Sequence, residues 1–141
     1  MTADEIIQRL ELKPHPEGGH FRQTWVADSS HGARPAGTAI YFLLKAGERS
    51  HWHRVDATEI WHFHAGAPLI LSVAETDQGL ARDLILSGDL QTGRPQRIVP
   101  KDWWQSARSL GDWSLVGCTV SPGFQFQGFE LASPDFDIPR A

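Results

Sequence analysis

Cysteine and tyrosine occur once each in these 141 residues, as Cys118 and Tyr41. A lone thiol excludes an intrachain disulfide framework and suits a reducing compartment, so a cytoplasmic protein is expected. Basic residues are also scarce: 13 Lys+Arg against 17 Asp+Glu leave a formal charge of −4. That balance removes the electrostatic reason to expect nucleic acid or an anionic membrane as a partner. No apolar run approaches the roughly 18 residues of a membrane-crossing helix. Met1–Leu10 carries acids where a signal peptide needs basic residues and an apolar stretch.

What is present describes a folded globule rich in turns. A hydrophobic fraction of 40% with 21% charged residues argues against disorder, and the length suits one domain over residues 1–141. Thirteen glycines and nine prolines in so short a chain favour an all-β reading. One segment reads as helix: Thr2 or Asp4 can cap Glu5–Leu10, where Ile6, Ile7 and Leu10 share a face, and Pro14 and Pro16 end it. The helix is therefore placed at about residues 4–10, and a barrel is placed at about 20–132.

The barrel region holds about ten β-type runs separated by Gly, Pro, Asp and Ser. They are Phe21–Val26, Thr38–Leu44, His51–Arg54, Thr58–Ala65, Leu69–Ala74, Leu80–Leu86, Gln96–Val99, Trp104–Ser109, Ser114–Val120 and Phe126–Leu131. Thr38–Leu44 has no polar face and belongs in the middle of a sheet. This spacing predicts a sandwich or barrel. The tail, residues 133–141, has two prolines and no periodicity and is expected to run over the surface.

Four of the seven histidines fall within fourteen positions, as His51, His53, His62 and His64. Alternation along a strand puts His51 and His53 on one face, and Glu59, Trp61 and Phe63 on one face of the next strand. His62 and His64 then look outward, to solvent or a subunit contact. If the Glu59 face is the interior, two imidazoles and a carboxylate converge there. Such a set can ligate a divalent transition metal, act as a general acid and base, or anchor a polar ligand. Glu59 lies among Ile60, Trp61 and Phe63, so burial demands a partner, with His53 and Arg22 the candidates. Trp61 is the best candidate for a pocket wall, and Tyr41 could offer its hydroxyl. Pro16–Gly19 reads as a turn, after which Arg22 could reach the barrel mouth and hold an anionic group.

Several runs resemble a known family. Gly47, His51-Trp52-His53, Glu59 and Gly66 are similar to the first motif of the cupin superfamily, and Pro100–Gln105 to a degenerate second motif. A closer resemblance is to the small uncharacterised cupin proteins of the DUF985 (cupin-5) group. It is carried by Pro14–Arg22, Ser50–Arg54, Asp56–Phe63 and Ser121–Phe124, so it covers nearly the whole chain. The resemblance implies a double-stranded β-helix, that is, a jelly-roll barrel with a small-molecule cavity at one end, and a homodimer. Where the superfamily's second motif supplies a metal-binding histidine, this chain has Gln105. His51, His53, Glu59 and Gln105 would then be a weak ligand set for a divalent metal, or a polar cluster for an organic ligand.

Three functions follow as expectations. The first is a barrel for a small polar, sugar- or nucleotide-like compound, working as a metal-independent isomerase or epimerase. There His53, bonded to Glu59, removes a proton beside a carbonyl, and Tyr41 or His51 returns one, by analogy with the superfamily's metal-free sugar epimerases. Trp61, Gln105, Arg22 and His51 would contact the ligand. The second is a metal-dependent dioxygenase or decarboxylase. The third is a ligand-binding or storage-like barrel without catalysis.

Overall fold

A computed structural model describes every residue from Met1 to Ala141. Helix α1 spans Ala3–Leu10. It starts earlier than the apolar pattern suggests because Thr2 and Glu5 form a reciprocal cap. Glu5 N–H donates to Thr2 Oγ1 (3.2 Å), and Thr2 N–H donates to Glu5 Oε1 (3.4 Å). The helix ends at Glu11, which takes a left-handed conformation and returns its N–H to the last turn.

Eleven strands follow: β1 (Lys13–Pro14), β2 (His20–Val26), β3 (Thr38–Lys45), β4 (Arg49–Val55), β5 (Thr58–Gly66), β6 (Leu69–Ala74), β7 (Arg82–Leu86), β8 (Gln96–Val99), β9 (Trp104–Ser109), β10 (Trp113–Ser121) and β11 (Phe129–Leu131). They form two antiparallel sheets, a six-stranded one in the order β1-β2-β3-β10-β5-β8 and a five-stranded one in the order β11-β4-β9-β6-β7. The expected jelly roll is therefore the observed fold, with β3 inside its sheet. Two details differ. Lys13–Pro14 pairs with β2 as a short extra strand. Phe126–Gly128 is a 3-10 turn instead of the start of the last strand. Gly128 there abuts the Asp56 carboxylate, where no Cβ fits.

Alternation sets the layers. Phe42 and Leu44 of β3, Trp61 of β5, Leu69, Leu71 and Val73 of β6, and Val116 and Cys118 of β10 meet between the sheets as the main core. Each fully buried large side chain contributes about 1.5–3 kcal/mol. The outer face of the larger sheet is covered by α1, where Ile6 and Leu12 pack on Leu43. The outer face of the smaller sheet is covered by the C-terminal tail, contrary to the expectation of a surface run. Ile138 is completely buried against Trp52, Trp104, Ala74 and Ala81. The Trp52 indole N–H donates to Asp137 Oδ1 (2.8 Å), and Arg140 donates to Asp83 (3.1 Å). The tail's two prolines gave no periodicity to read, yet its apolar side chains seal this layer.

Candidate functional site

One cavity of about 430 Å³ opens between the sheets. Phe21, Ile40, Val120, Phe124, Phe126 and Phe129 give it an apolar wall, and His15, Glu17, His53, Glu59 and Cys118 supply its polar part. Lys13, Arg22 and Glu11 also border it.

Two glycines make the polar part possible. Gly18 has φ 112°, and a Cβ there would run into the carbonyl of Arg49. Gly19 has φ 77°, and a Cβ would lie 2.8 Å from the Leu43 carbonyl. Only glycine lets this loop lie so close to β3 and β4. The backbone N–H of His51 donates to the Glu17 carbonyl (2.7 Å), which fixes the loop on β4. The Glu17 side chain is thereby delivered under the barrel mouth.

The Glu17 carboxylate is almost fully buried and meets two partners. His53 Nδ1 lies 2.6 Å from its Oε2, and Ser50 Oγ donates to the same oxygen (2.9 Å). Burial alone would lower the His53 pKa, but the adjacent Glu17 carboxylate overrides it and raises the imidazole to about 9. Burial likewise works against Glu17 ionisation, yet the His53 charge and hydrogen bond hold its carboxyl below the usual value. At neutral pH the two form an ion pair. Nδ1 of His53 also reaches the His51 carbonyl (2.8 Å), and no protein group meets its Nε2.

Glu59 comes from β5, opposite Val120 of β10. Its environment differs from that of Glu17, because no cation touches it. Burial raises its pKa to about 7, moderated by the His53 charge and by donors from Gln105 and Cys118. Gln105 is completely buried. The Trp61 indole, which can only donate, gives its N–H to Gln105 Oε1 (2.8 Å). The amide is therefore oriented with Nε2 donating to Glu59 Oε1 (2.9 Å). Trp61 and Gln105 thus form a relay that holds the carboxyl in place. Cys118, beside Glu59, has its thiol pushed well above the usual value by burial and by that carboxylate.

Several expected positions are not brought together. His51 does not share the inner face with His53. The pairing of β4 with β9 steps from Ser50↔Ala107 to His53↔Gln105, so β4 carries one extra residue there. This bulge turns His51 away; its Nε2 lies 2.7 Å from the Ser133 carbonyl. Tyr41 alternates with the inward Phe42 and so faces outward, among the residues under α1 and near His64. Trp61 is 1% exposed and lies beneath the site rather than on its wall. Glu59 bonds Gln105, and His53 pairs with Glu17, not with Glu59. Arg22 borders the mouth, but its guanidinium turns to the Leu10 carbonyl (3.4 Å) and to Glu11 (3.5 Å). His62 and His64 lie on the outer face as expected, with His62 against Thr119 (3.1 Å). The reading of single residues missed His15 and Glu17. A histidine and a carboxylate just before a glycine pair were the available signal.

The model of the cupin superfamily family DUF985 matches residues 4–132. The chain belongs to that family. Protein SO0799 from Shewanella oneidensis has a similar structure, with 42% identity, TM-score 0.88, and coverage of 94% of this chain and 85% of that one. A hypothetical protein from Leishmania major is 32% identical with TM-score 0.84, covering 94% and 88%. An oxalate decarboxylase variant from Bacillus subtilis shares the fold at 12% identity and TM-score 0.64, covering 84% of this chain and 29% of that one. No curated protein matches the chain.

Oxalate decarboxylase from Bacillus subtilis is described with Mn(II) centres. His51, His53, Glu59 and Gln105 do not fit such a site. His51 faces away and Gln105 Oε1 is occupied by Trp61, so only His53 Nε2 and the Glu59 carboxyl of the four remain available, too few for such a centre. No three His, Cys, Asp or Glu side chains converge as a metal-holding group.

Proposed function

We propose that this cupin is a metal-independent isomerase or epimerase that moves a proton beside a carbonyl of a small sugar- or nucleotide-like compound. The observation that supports this best is the pair of buried groups with opposed proton states at one cavity. His53 is held protonated by Glu17, while Glu59 ionises at about 7 and has no cationic partner. The roles are therefore exchanged relative to the sequence expectation: Glu59 is the base and His53 the acid. Glu59 takes the proton from the carbon beside the carbonyl, and the C–H electron pair becomes the C=C bond of an enol. The carbonyl oxygen receives a proton from His53 Nε2. Reprotonation at carbon gives exchanged or isomerised product. The phenylalanine wall favours the nucleotide-like class over a bare sugar, since a planar base stacks on such rings.

A soluble cytoplasmic setting suits the single buried thiol, and no helix is long and apolar enough to cross a membrane. A second copy of the chain is the expected partner, and the exposed Trp25 and Val26 of β2 offer apolar area for it.

The test is solvent deuterium incorporation into a panel of keto sugars and nucleotide-linked carbonyl compounds, followed by NMR. Incorporation should be fastest between about pH 7 and 9, where Glu59 is ionised and His53 still protonated. Glu59→Gln should slow it by at least about 10²-fold. No incorporation with any compound that binds would make this a binding barrel without catalysis.

A further inference from the structure

One buried imidazole at the cavity takes no part in the proton transfer. His15 sits with its side chain only 6% exposed, edge-on to Phe21 (ring centroids 4.5 Å) and Phe129 (6.2 Å), and it lines the same cavity as His53. Its protonation state follows from geometry. The backbone N–H of Glu17 donates to His15 Nδ1 (3.1 Å). That nitrogen must therefore be a lone-pair acceptor, and the single ring proton must sit on Nε2. Burial lowers the His15 pKa and keeps the ring neutral, even with Glu17 Oε1 3.5 Å away. No protein acceptor meets Nε2. His53 is in the same position for a different reason, because its Nδ1 proton is spent on Glu17. Glu17 thus anchors two rings at once, one through its backbone N–H and one through its carboxylate.

We infer that His15 and His53 present their Nε2–H groups together to one oxygen of the ligand. The ligand class is then a planar conjugated carbonyl compound that binds as an oxyanion, enolate or phenolate. Two donors without protein acceptors in a cavity with a phenylalanine wall match an oxygen that gains negative charge. The planar body follows from the surroundings. Phe129 stacks on His53 (5.4 Å, interplanar 29°) and, with Phe124 and Phe126, continues the apolar wall away from the imidazoles. His15 is on this account a third catalytic residue, and with His53 the second that touches the reacting oxygen. The inference rests on the proton-transfer reading for its chemistry and adds the substrate class.

The probe is 4-nitrophenol, whose phenolate is read by its visible absorbance. Wild-type protein should bind it as phenolate, with the phenol ionising at lower pH than in water. His15→Phe keeps an aromatic ring but removes the donor. It should weaken phenolate binding about tenfold or more and leave binding of nitrobenzene, which offers no oxyanion, within about twofold. Nitrogen-15 NMR of the imidazoles checks the same point without a variant: His15 should carry its proton on Nε2 only, and His53 on both nitrogens. Phenolate binding unaffected by His15→Phe, binding only as neutral phenol, or a His15 proton on Nδ1 would overturn the inference. Glu59→Gln separates it from the proton-transfer reading. That variant should lose deuterium exchange and keep phenolate binding. Phenolate binding in a protein that exchanges no carbonyl compound would refute the catalytic reading and leave the donor pair standing.

Discussion

Strands β4 and β9 each place two adjacent residues in opposite worlds. On their outer side Trp52 and Trp104 pack with Ile138 of the tail; on their inner side His53 reaches the cavity and Gln105 holds the cavity-lining Glu59 from behind. All of these side chains are almost entirely buried. The outer layer is held by area. Even its Trp104 indole N–H finds no acceptor, a cost that the surrounding apolar contacts tolerate. The inner layer is held by complementary polar groups, each committed to a named partner. Burial is therefore not what distinguishes a site from a core in this barrel. What distinguishes them is that the inner groups leave atoms facing the cavity, namely His53 Nε2 and the Glu59 carboxyl.

The independence of the two layers meets its hardest challenge at Trp52. Trp52→Ala removes a fully buried indole under the tail together with its hydrogen bond to Asp137, and should destabilise the fold by about 3–5 kcal/mol. Because Trp52 points away from the cavity, the His53 nitrogen-15 signature should stay that of a doubly protonated ring. Urea unfolding and imidazole NMR on the same variant check both halves. A His53 that loses its proton in Trp52→Ala would show that the two layers are not independent.

The sequence was legible where alternation held. The β5 run put Glu59, Trp61 and Phe63 inward and His62 and His64 outward, and the register of β5 against β10 agrees, with Trp61 opposite Cys118. It was illegible where one extra residue entered. The bulge after Ser50 breaks the two-residue period, so His51 and His53 part company although their spacing is that of one face. Glu17 could not be found by periodicity at all. It comes from a loop, and its place depends on backbone contacts with β4 some thirty positions later. The tail failed for a similar reason: Ile138 is buried by a tertiary contact that leaves no local pattern.

Acidity gives a second and gentler way to separate the layers, since the buried titrating groups lie in the inner one while the outer one has the acidic Asp137 carboxylate on Trp52. His53 rises from an ordinary 6.5 to about 9 on folding, so the folded chain keeps a proton that the unfolded chain releases. The stabilisation is complete below 6.5 and is lost as pH rises through about 9. Glu59 rises from 4.5 to about 7, so its contribution is complete below 4.5 and is lost by about 7. Glu17 is lowered and acts in the opposite sense, with a contribution present above 4.5 and lost on further acidification. His15 is lowered by burial and likewise opposes the fall below 6.5, so stability should fall most clearly as pH rises from about 7 to 9, by up to about 1.4 kcal/mol per pH unit for each proton retained. Denaturation midpoints across that range test it. Glu59→Gln should remove the loss that Glu59 causes below about 7 and leave the fall above it, and a stability that climbs between pH 7 and 9 would contradict the assigned proton states.

The smallest effect belongs to the residue that is shared between the two kinds of burial. Cys118 packs in the main core and also turns its thiol to Glu59. Cys118→Ala removes one buried sulfur, which should cost about 1 kcal/mol, near the value for trimming a single methyl group. It also removes a weak donor to the carboxylate. Cys118 lowers the Glu59 pKa through that hydrogen bond, so its loss should move the carboxyl titration upward. Cys118→Ser keeps a donor and should hold the titration near its original place or below it, at a similar cost in packing. Carbon-13 NMR of the Glu59 carboxyl distinguishes the two variants. Equal titrations in both would mean that the thiol serves the core alone, and that the boundary between the two layers falls between residues 59 and 118.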